Sequence, residues 1–261
     1  MVDLVNLKAS RAILPPRIVI YGPPKIGKTT LASTIPHCVI LDYEGGSGFA
    51  NVARIDKDDL DTFDKTQKVL QDLCTQDHPF QAVVIDTVDW MQAIVSEEAA
   101  KEHSSGEKTY ATAEDVPYRA GVVTMQNIFK TQILDALDYL RKNKNMMIVL
   151  LAHECIRRYD NPTTESYDRY TLKLQENNKG VGVCSLLKEW SDAILFANQE
   201  TFVRKEQIGM KKQAKKASTS NNIILHTQES PAYLAGNRFG LPAQLPFNWP
   251  AIEQAITTAM S

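Results

Sequence analysis

Apolar runs and stretches of helical spacing alternate along most of this chain. Arg17–Tyr21 (RIVIY) reads as a first strand and Cys38–Asp42 (CVILD) as a second. The run AVVID, ending at Asp86, carries no charge until its last residue, which suits a strand covered on both faces. MMIVLLA, ending at Ala152, and DAILFA, ending at Ala197, are read as further strands. Between them, Asp58 to Cys74 offers Leu60, Phe63, Val69, Leu70 and Leu73 as the buried stripe of a helix. Val122, Met125, Phe129, Ile133, Ala136, Leu137 and Leu140 also recur at helical spacing. This alternation predicts an α/β fold with a mainly parallel sheet flanked by helices.

The pattern lapses twice. His103 to Tyr118 is polar and irregular and reads as a loop. Cys155 to Gly182 is polar, charged and tyrosine-bearing, too long for an ordinary connector, and is expected to be a mobile loop over 155–182, either functional or disordered. Order returns with the helix-like CSLLKEW. TFVRKEQI and NNIILHT then flank a tip rich in lysine and serine, which predicts a hairpin over 200–228. The segment 229–261 closes in a terminal helix, NWPAIEQAITTAM, with Asn248 as its cap. Residues 1–16 form an amino-terminal arm. No internal repeat or linker interrupts the chain, so one domain, 1–261, is expected.

Composition narrows the function classes only a little. The 261 residues are 43% hydrophobic and 23% charged, normal for a globular protein with a sizeable core. A formal net charge of -2 argues neither for nor against nucleic acid, so any such contact must come from local patches. Cys38, Cys74, Cys155 and Cys184 are scattered, with no CxxC pair, which points away from a zinc site or a disulfide framework and fits a reducing cytoplasm. No apolar run approaches the ~20 residues of a membrane span, and MVDLVNLKAS lacks the apolar core of a signal peptide. A cytoplasmic protein without membrane contact is the expectation.

The chemistry concentrates after the first strand. Gly22-Pro23-Pro24-Lys25-Ile26-Gly27-Lys28-Thr29 fits GxxxxGK[ST], with Thr30 as the next, weaker candidate. Gly22 and Gly27 are expected to let the backbone curl so that successive N–H groups face phosphate oxygens, with the amino end of the following helix adding positive potential. Lys28 can reach the β- and γ-phosphates, and the Thr29 hydroxyl can ligate magnesium. Asp86 either holds the same magnesium through water or only turns the chain at a strand end. Glu44, just past the second strand, can accept a proton from the water attacking the γ-phosphate. Alternatively, Asp42, Gly45 and Gly46 make a turn there and leave Glu44 solvated. His153 follows MMIVLLA on the same sheet edge; it can hydrogen-bond a γ-phosphate and report hydrolysis to the loop behind it, or be a satisfied local donor.

These segments resemble the RecA-like P-loop ATPases. ILDYEGG is similar to the RecA-type strand that delivers the catalytic glutamate, and the resemblance places that role on Glu44. VVIDTVD resembles the Walker B strand. LLAHE stands where RecA-like proteins end a strand in a polar γ-phosphate sensor, with His153 in place of an amide. AGNRFGLP resembles the cation-bearing segment that reaches the ATP of the next subunit. GPPKIGKTT, LDYEGG, LLAHE and SPAYLAGNRFGLP together are similar to a family of small phage-encoded nucleotide-binding proteins, the RecA-like single-strand annealing proteins of the Sak group, from about Arg17 to Trp249. That family usually has lysine where this chain has Gly236, which leaves Arg238 as the cation across a subunit interface; the bland reading of Arg238 is a solvated loop residue.

The resemblance implies ATP and magnesium as cofactors. It also implies single-stranded DNA, and self-association into a ring or filament with ATP at the interface, with a single-strand-binding protein as a further partner. ATP rather than GTP rests on this resemblance and on the lack of an NKxD-type guanine motif. For DNA, the residues themselves offer Arg157, Arg158, Tyr159, Arg169, Tyr170, Lys173 and Lys179, cations and rings that suit phosphates and stacked bases, though Asp160, Glu165, Asp168 and Glu176 dilute the charge. Lys205, Lys211, Lys212, Lys215 and Lys216 form a second cationic patch at the hairpin tip. The leading expectation is an ATP-dependent recombination protein. A partner-binding ATPase switch, such as a helicase loader or regulator, is the alternative. A small-molecule kinase fits least, because no run of arginines resembles a lid.

Overall fold

In the first strand, β1 (Arg17–Gly22), neighbouring side chains point to opposite faces, so one strand feeds two cores. Ile18 and Ile20 enter one, and Val19 and Tyr21 the other. The computed structural model describes residues 14–161, 163, 165–177, 180–207 and 213–260, with backbone only over 201–221. Lys179, Lys211 and Lys212 therefore lie outside the described residues, as does most of the expected amino-terminal arm.

The remaining strands are β2 (Cys38–Asp42), β3 (Ala53–Ile55), β4 (Ala82–Asp86), β5 (Met147–Tyr159), β6 (Tyr167–Leu172), β7 (Ala193–Gln207), β8 (Gln213–His226), β9 (Gly236–Asn237) and β10 (Gln244–Pro246). The sheet runs β10-β8-β7-β1-β5-β4-β2-β3, with β6 paired to β5 and β9 to β7. β3, β2, β4, β5, β1 and β7 are mutually parallel; β8 and β10 add antiparallel strands. The mainly parallel α/β sheet expected from the sequence is present.

The helices are α1 (Lys28–Ala32), α2 (Phe63–Thr75), α3 (Val88–His103), α4 (Ala120–Ile128), α5 (Asp135–Asn143), α6 (Val183–Trp190) and α7 (Trp249–Met260); a π-helical stretch, Phe129–Leu134, joins α4 to α5. Helices α2 to α6 cover the Val19 and Tyr21 face, and α1 and α7 the Ile18 and Ile20 face. Two caps act as their side chains dictate: the Thr62 hydroxyl accepts from the Lys65 amide before α2, and Asn248 Oδ1 accepts from the Ala251 amide at the start of α7.

Of the differences from the sequence reading, two bear on the site. The stretch 155–182, expected to be a loop, is largely structured: β5 continues past the sheet to Tyr159 and folds back through β6, pairing Glu154 with Leu172 and Tyr159 with Tyr167. Main-chain pairing supplies the order there, so no apolar alternation is needed. Helix α3 had no counterpart among the expected elements. Its buried side is carried by Val88, Met91, Val95 and Ala99, diluted by Ser96 and Ala100. The expected hairpin over 200–228 matches the antiparallel pairing of β7 and β8. Among the described residues, no helix is long and apolar enough to cross a membrane.

Candidate functional site

All six parallel strands point their carboxyl ends to one edge, and the phosphate loop leaves β1 there. The two loop glycines serve different ends. Gly27 has φ 103°, a left-handed conformation that a side chain resists. Gly22 needs no such freedom; an added Cβ would meet the Ala197 carbonyl oxygen of β7 at 2.3 Å, so it is the close approach of two strands that selects glycine. Helix α1 is only five residues long, so backbone amides matter more here than a helix dipole.

Lys28 is buried, and its Nζ donates to the carbonyls of Gly22 at 3.0 Å and Pro23 at 2.9 Å, inside the loop it would share with phosphates. Burial pulls its ammonium below the ordinary value, opposed by the carboxylates of Asp86, Asp89, Glu44 and Glu154. The Thr29 hydroxyl donates to Asp86 Oδ2 at 2.6 Å, across from β4. Asp86 Oδ1 is buried and has no hydrogen-bond partner among the described residues. Burial pushes this carboxyl up to about 6, against the pull of the Thr29 bond. A hydroxyl beside an orphaned buried carboxylate oxygen is a donor set that fits a small divalent cation sharing phosphate and water ligands. Among the described residues, no three His, Cys, Asp or Glu side chains cluster as a closed metal cage.

Both readings of the Glu44 segment hold in part. Asp42 makes the turn: its carboxylate accepts from the amides of Gly45, Gly46 and Ser47 and from the Ser47 hydroxyl. Burial pushes its carboxyl up, but these bonds outweigh it and leave Asp42 below its ordinary value. Glu44 stands on that turn and faces the phosphate loop. His153, on β5, donates or accepts through Nδ1 at 2.8 Å from Asp89 Oδ2, and its Nε2 lies 3.8 Å from Glu44 Oε2.

Lys25, Gly27, Lys28, Thr29, Thr30, Glu44, Asp86 and His153 thus line one cleft of about 300 Å³, together with Gly46 and Phe49. Of the other loop residues, Pro23 lends a carbonyl to Lys28, Pro24 is exposed, and Ile26 is an anchor in the α1 and α7 core. Phe49 and Asp89 escaped the sequence reading. Phe49 follows a glycine-rich turn without any periodic pattern, and Asp89 meets its partner from 64 residues away.

Arg238 lies elsewhere. Its guanidinium binds Asp192 Oδ1 at 3.2 Å and the Glu189 carbonyl at 2.8 Å, beside Arg17 at the amino end of β1. The hairpin cations gather differently. Arg157, Arg158, Tyr159 and Arg169 line a second cleft of about 480 Å³ on the β5–β6 hairpin. Arg157 pairs with Glu176, Arg158 with Asp160, and Arg169 with Glu229 while stacking on the Tyr159 ring at 4.1 Å. Lys173 is exposed; its amide binds the His153 carbonyl at 2.9 Å.

Fold and cleft together define a P-loop nucleotide-binding protein, with β5 inserted between the P-loop strand and the Asp86 strand. The chain belongs to the AAA domain family, whose model matches residues 14–239. Among solved structures it is similar to the RadB recombinase, with 14% identity over 89% of this chain and 88% of that one and a TM-score of 0.45. No curated protein matches the chain.

Proposed function

We propose that this protein is a magnesium-dependent ATPase of the recombination type, which binds single-stranded DNA and promotes annealing of complementary strands. The observation that carries the ATPase reading is the convergence of Lys28, Thr29, Asp86, Glu44 and His153 from four different strands on one cleft. Lys28 exchanges its carbonyl partners for phosphate oxygens. Thr29 and Asp86 would hold magnesium, which when bound supplies charge neutralisation at the β- and γ-phosphates. Glu44 takes a proton from the attacking water.

The recombination reading rests on the resemblance to the Sak group and on two placements. The hairpin with Arg157, Arg158, Tyr159 and Arg169 extends β5 directly beyond His153, which gives a short path from nucleotide to DNA. Arg238 sits at the opposite end of β1 from the cleft, about 20 Å away along a six-residue strand. A residue so placed cannot serve its own phosphate loop but suits that of a neighbour stacked head to tail. ATP turnover with and without single-stranded DNA tests this, beside a Glu44→Gln control. Stimulation by DNA that the control abolishes supports it.

One observation favours the alternative of a partner-binding switch: each of these three hairpin arginines already pairs with a carboxylate of the chain, which weakens the cleft's pull on phosphates. Turnover indifferent to DNA would sink a DNA-activated ATPase and favour the switch.

A further inference from the structure

Asp89, the partner of His153, belongs to no role assigned so far. Asp89 is the second residue of α3, with its side chain only 8% exposed, and it grips His153 twice. Oδ1 accepts the His153 backbone amide at 3.0 Å, and Oδ2 lies 2.8 Å from ring Nδ1. Burial alone would push the Asp89 carboxyl up, but the bonds from His153 outweigh it and leave it below its ordinary value. An ionised carboxylate only accepts, so Nδ1 must carry the ring proton. In the neutral ring Nε2 is then a bare lone pair, and it lies 3.8 Å from Glu44 Oε2. Two acceptors at that separation do not bond each other. A water within ordinary hydrogen-bond reach of both sees them at roughly a right angle, close to the angle between its own O–H bonds.

We propose that Asp89 is a positioning residue for hydrolysis: it fixes the tautomer of His153 so that Nε2 and Glu44 accept the two protons of a single attacking water. The inference rests on the ATPase reading above and replaces a phosphate-sensing donor at His153 with a water-orienting acceptor. In the step itself, the water oxygen bonds to the γ-phosphorus, and the bond to the β,γ-bridging oxygen breaks with its electron pair leaving on ADP. One water proton passes to the Glu44 carboxylate. The other stays on the oxygen, hydrogen-bonded to Nε2, and leaves with inorganic phosphate.

Asp89→Asn in the full-length protein tests this. Its amide N–H can face Nδ1, which frees the proton to move to Nε2. Ring nitrogen shifts of ¹⁵N-histidine-labelled protein, with His153 assigned by its loss in His153→Gln, should report the Nδ1–H form in the parent and the Nε2–H form in Asp89→Asn. The turnover number should fall about a hundredfold with ATP affinity unchanged. In a His153→Gln background Asp89→Asn should cost nothing more, because Asp89 acts through the ring. An unchanged tautomer, a changed tautomer with full turnover, or a further loss of similar size in the double variant would each overturn the proposal. If the parent protein turns over no ATP, the ATPase reading falls, and this role for Asp89 falls with it. The ring shifts would then still tell whether Asp89 sets the tautomer.

Discussion

The Glu44 amide donates to the Asp86 carbonyl at 3.2 Å, so the proposed base is tied through its backbone to the strand that would hold the metal. The tie does not involve the Glu44 side chain. Glu44→Gln should therefore leave the turn and ATP affinity intact while lowering the turnover number about 10²–10³-fold. Equilibrium binding beside steady-state turnover separates the two.

Asp86 is held in the folded chain at a value near 6, against 3.8 ordinarily. Well below pH 4 it is neutral whether folded or not and has no effect on stability. As pH rises to 6 the unfolded chain ionises first, and the folded state is penalised by up to about 3 kcal/mol above that. Asp86→Asn should thus raise stability in the presence of a chelator at pH 7 and lose that advantage near pH 4. Denaturant titrations at both pH values check the sign.

Arg238→Ala and Lys28→Ala should each be inactive alone if ATP is shared between neighbours. Mixed in equal amounts, they should recover a fraction of the parent turnover, because some interfaces join an intact phosphate loop to an intact arginine. No recovery at any mixing ratio would remove Arg238 from the site.

Asp192 gathers Arg17, Arg141 and Arg238, the first two with side chains only 12% and 13% exposed. Removing its carboxylate leaves the nearly buried Arg141 without an ion-pair partner among the described residues and Arg17 with Asp138 alone, so Asp192→Ala should cost about 3 kcal/mol. Arg238→Ala, at the exposed end of the same cluster, should cost at most about 1 kcal/mol. Burial pushes the Asp192 carboxyl up, but Arg17 and Arg141 outweigh this and hold it below its ordinary value, so its contribution is present above pH 4 and fades as pH falls further.

Gly22→Ala should destabilise by about 1–3 kcal/mol, because the added carbon meets main chain rather than a movable side chain. Gly46→Ala, with nothing among the described residues within 4 Å of its added carbon, should change stability by less than about 0.5 kcal/mol. Thermal melts of the two variants make the comparison.

Much of the cleft was legible because its signals are local. Lys28 and Thr29 sit in a fixed motif, and Asp86 and Glu44 end or follow apolar strands whose direction the alternation of strand and helix sets. What escaped was non-local or carried by the main chain. The motif could not tell that Gly22 is required by Ala197, on a strand 175 residues later. Nor could any spacing bring Asp89 to His153. The β5–β6 hairpin was read as a loop because CIRRY has no polar–apolar alternation, and its order comes from backbone pairing that leaves Ile156 62% exposed.

β5 runs from Met147 to Tyr159 and pairs with β6 in unbroken register from Glu154 to Tyr159, whereas β7 shifts register against β8 at Gln199. Parity therefore holds along β5: His153, Cys155 and Arg157 share one side, and Glu154, Ile156 and Arg158 the other. A single inserted residue between His153 and Arg157 would not merely lengthen the hairpin; it would exchange its two sides, turning Arg157 outward and Arg158 inward. Substitutions can drift along this strand, but a one-residue change in its length exchanges the hairpin's sides unless a bulge absorbs it.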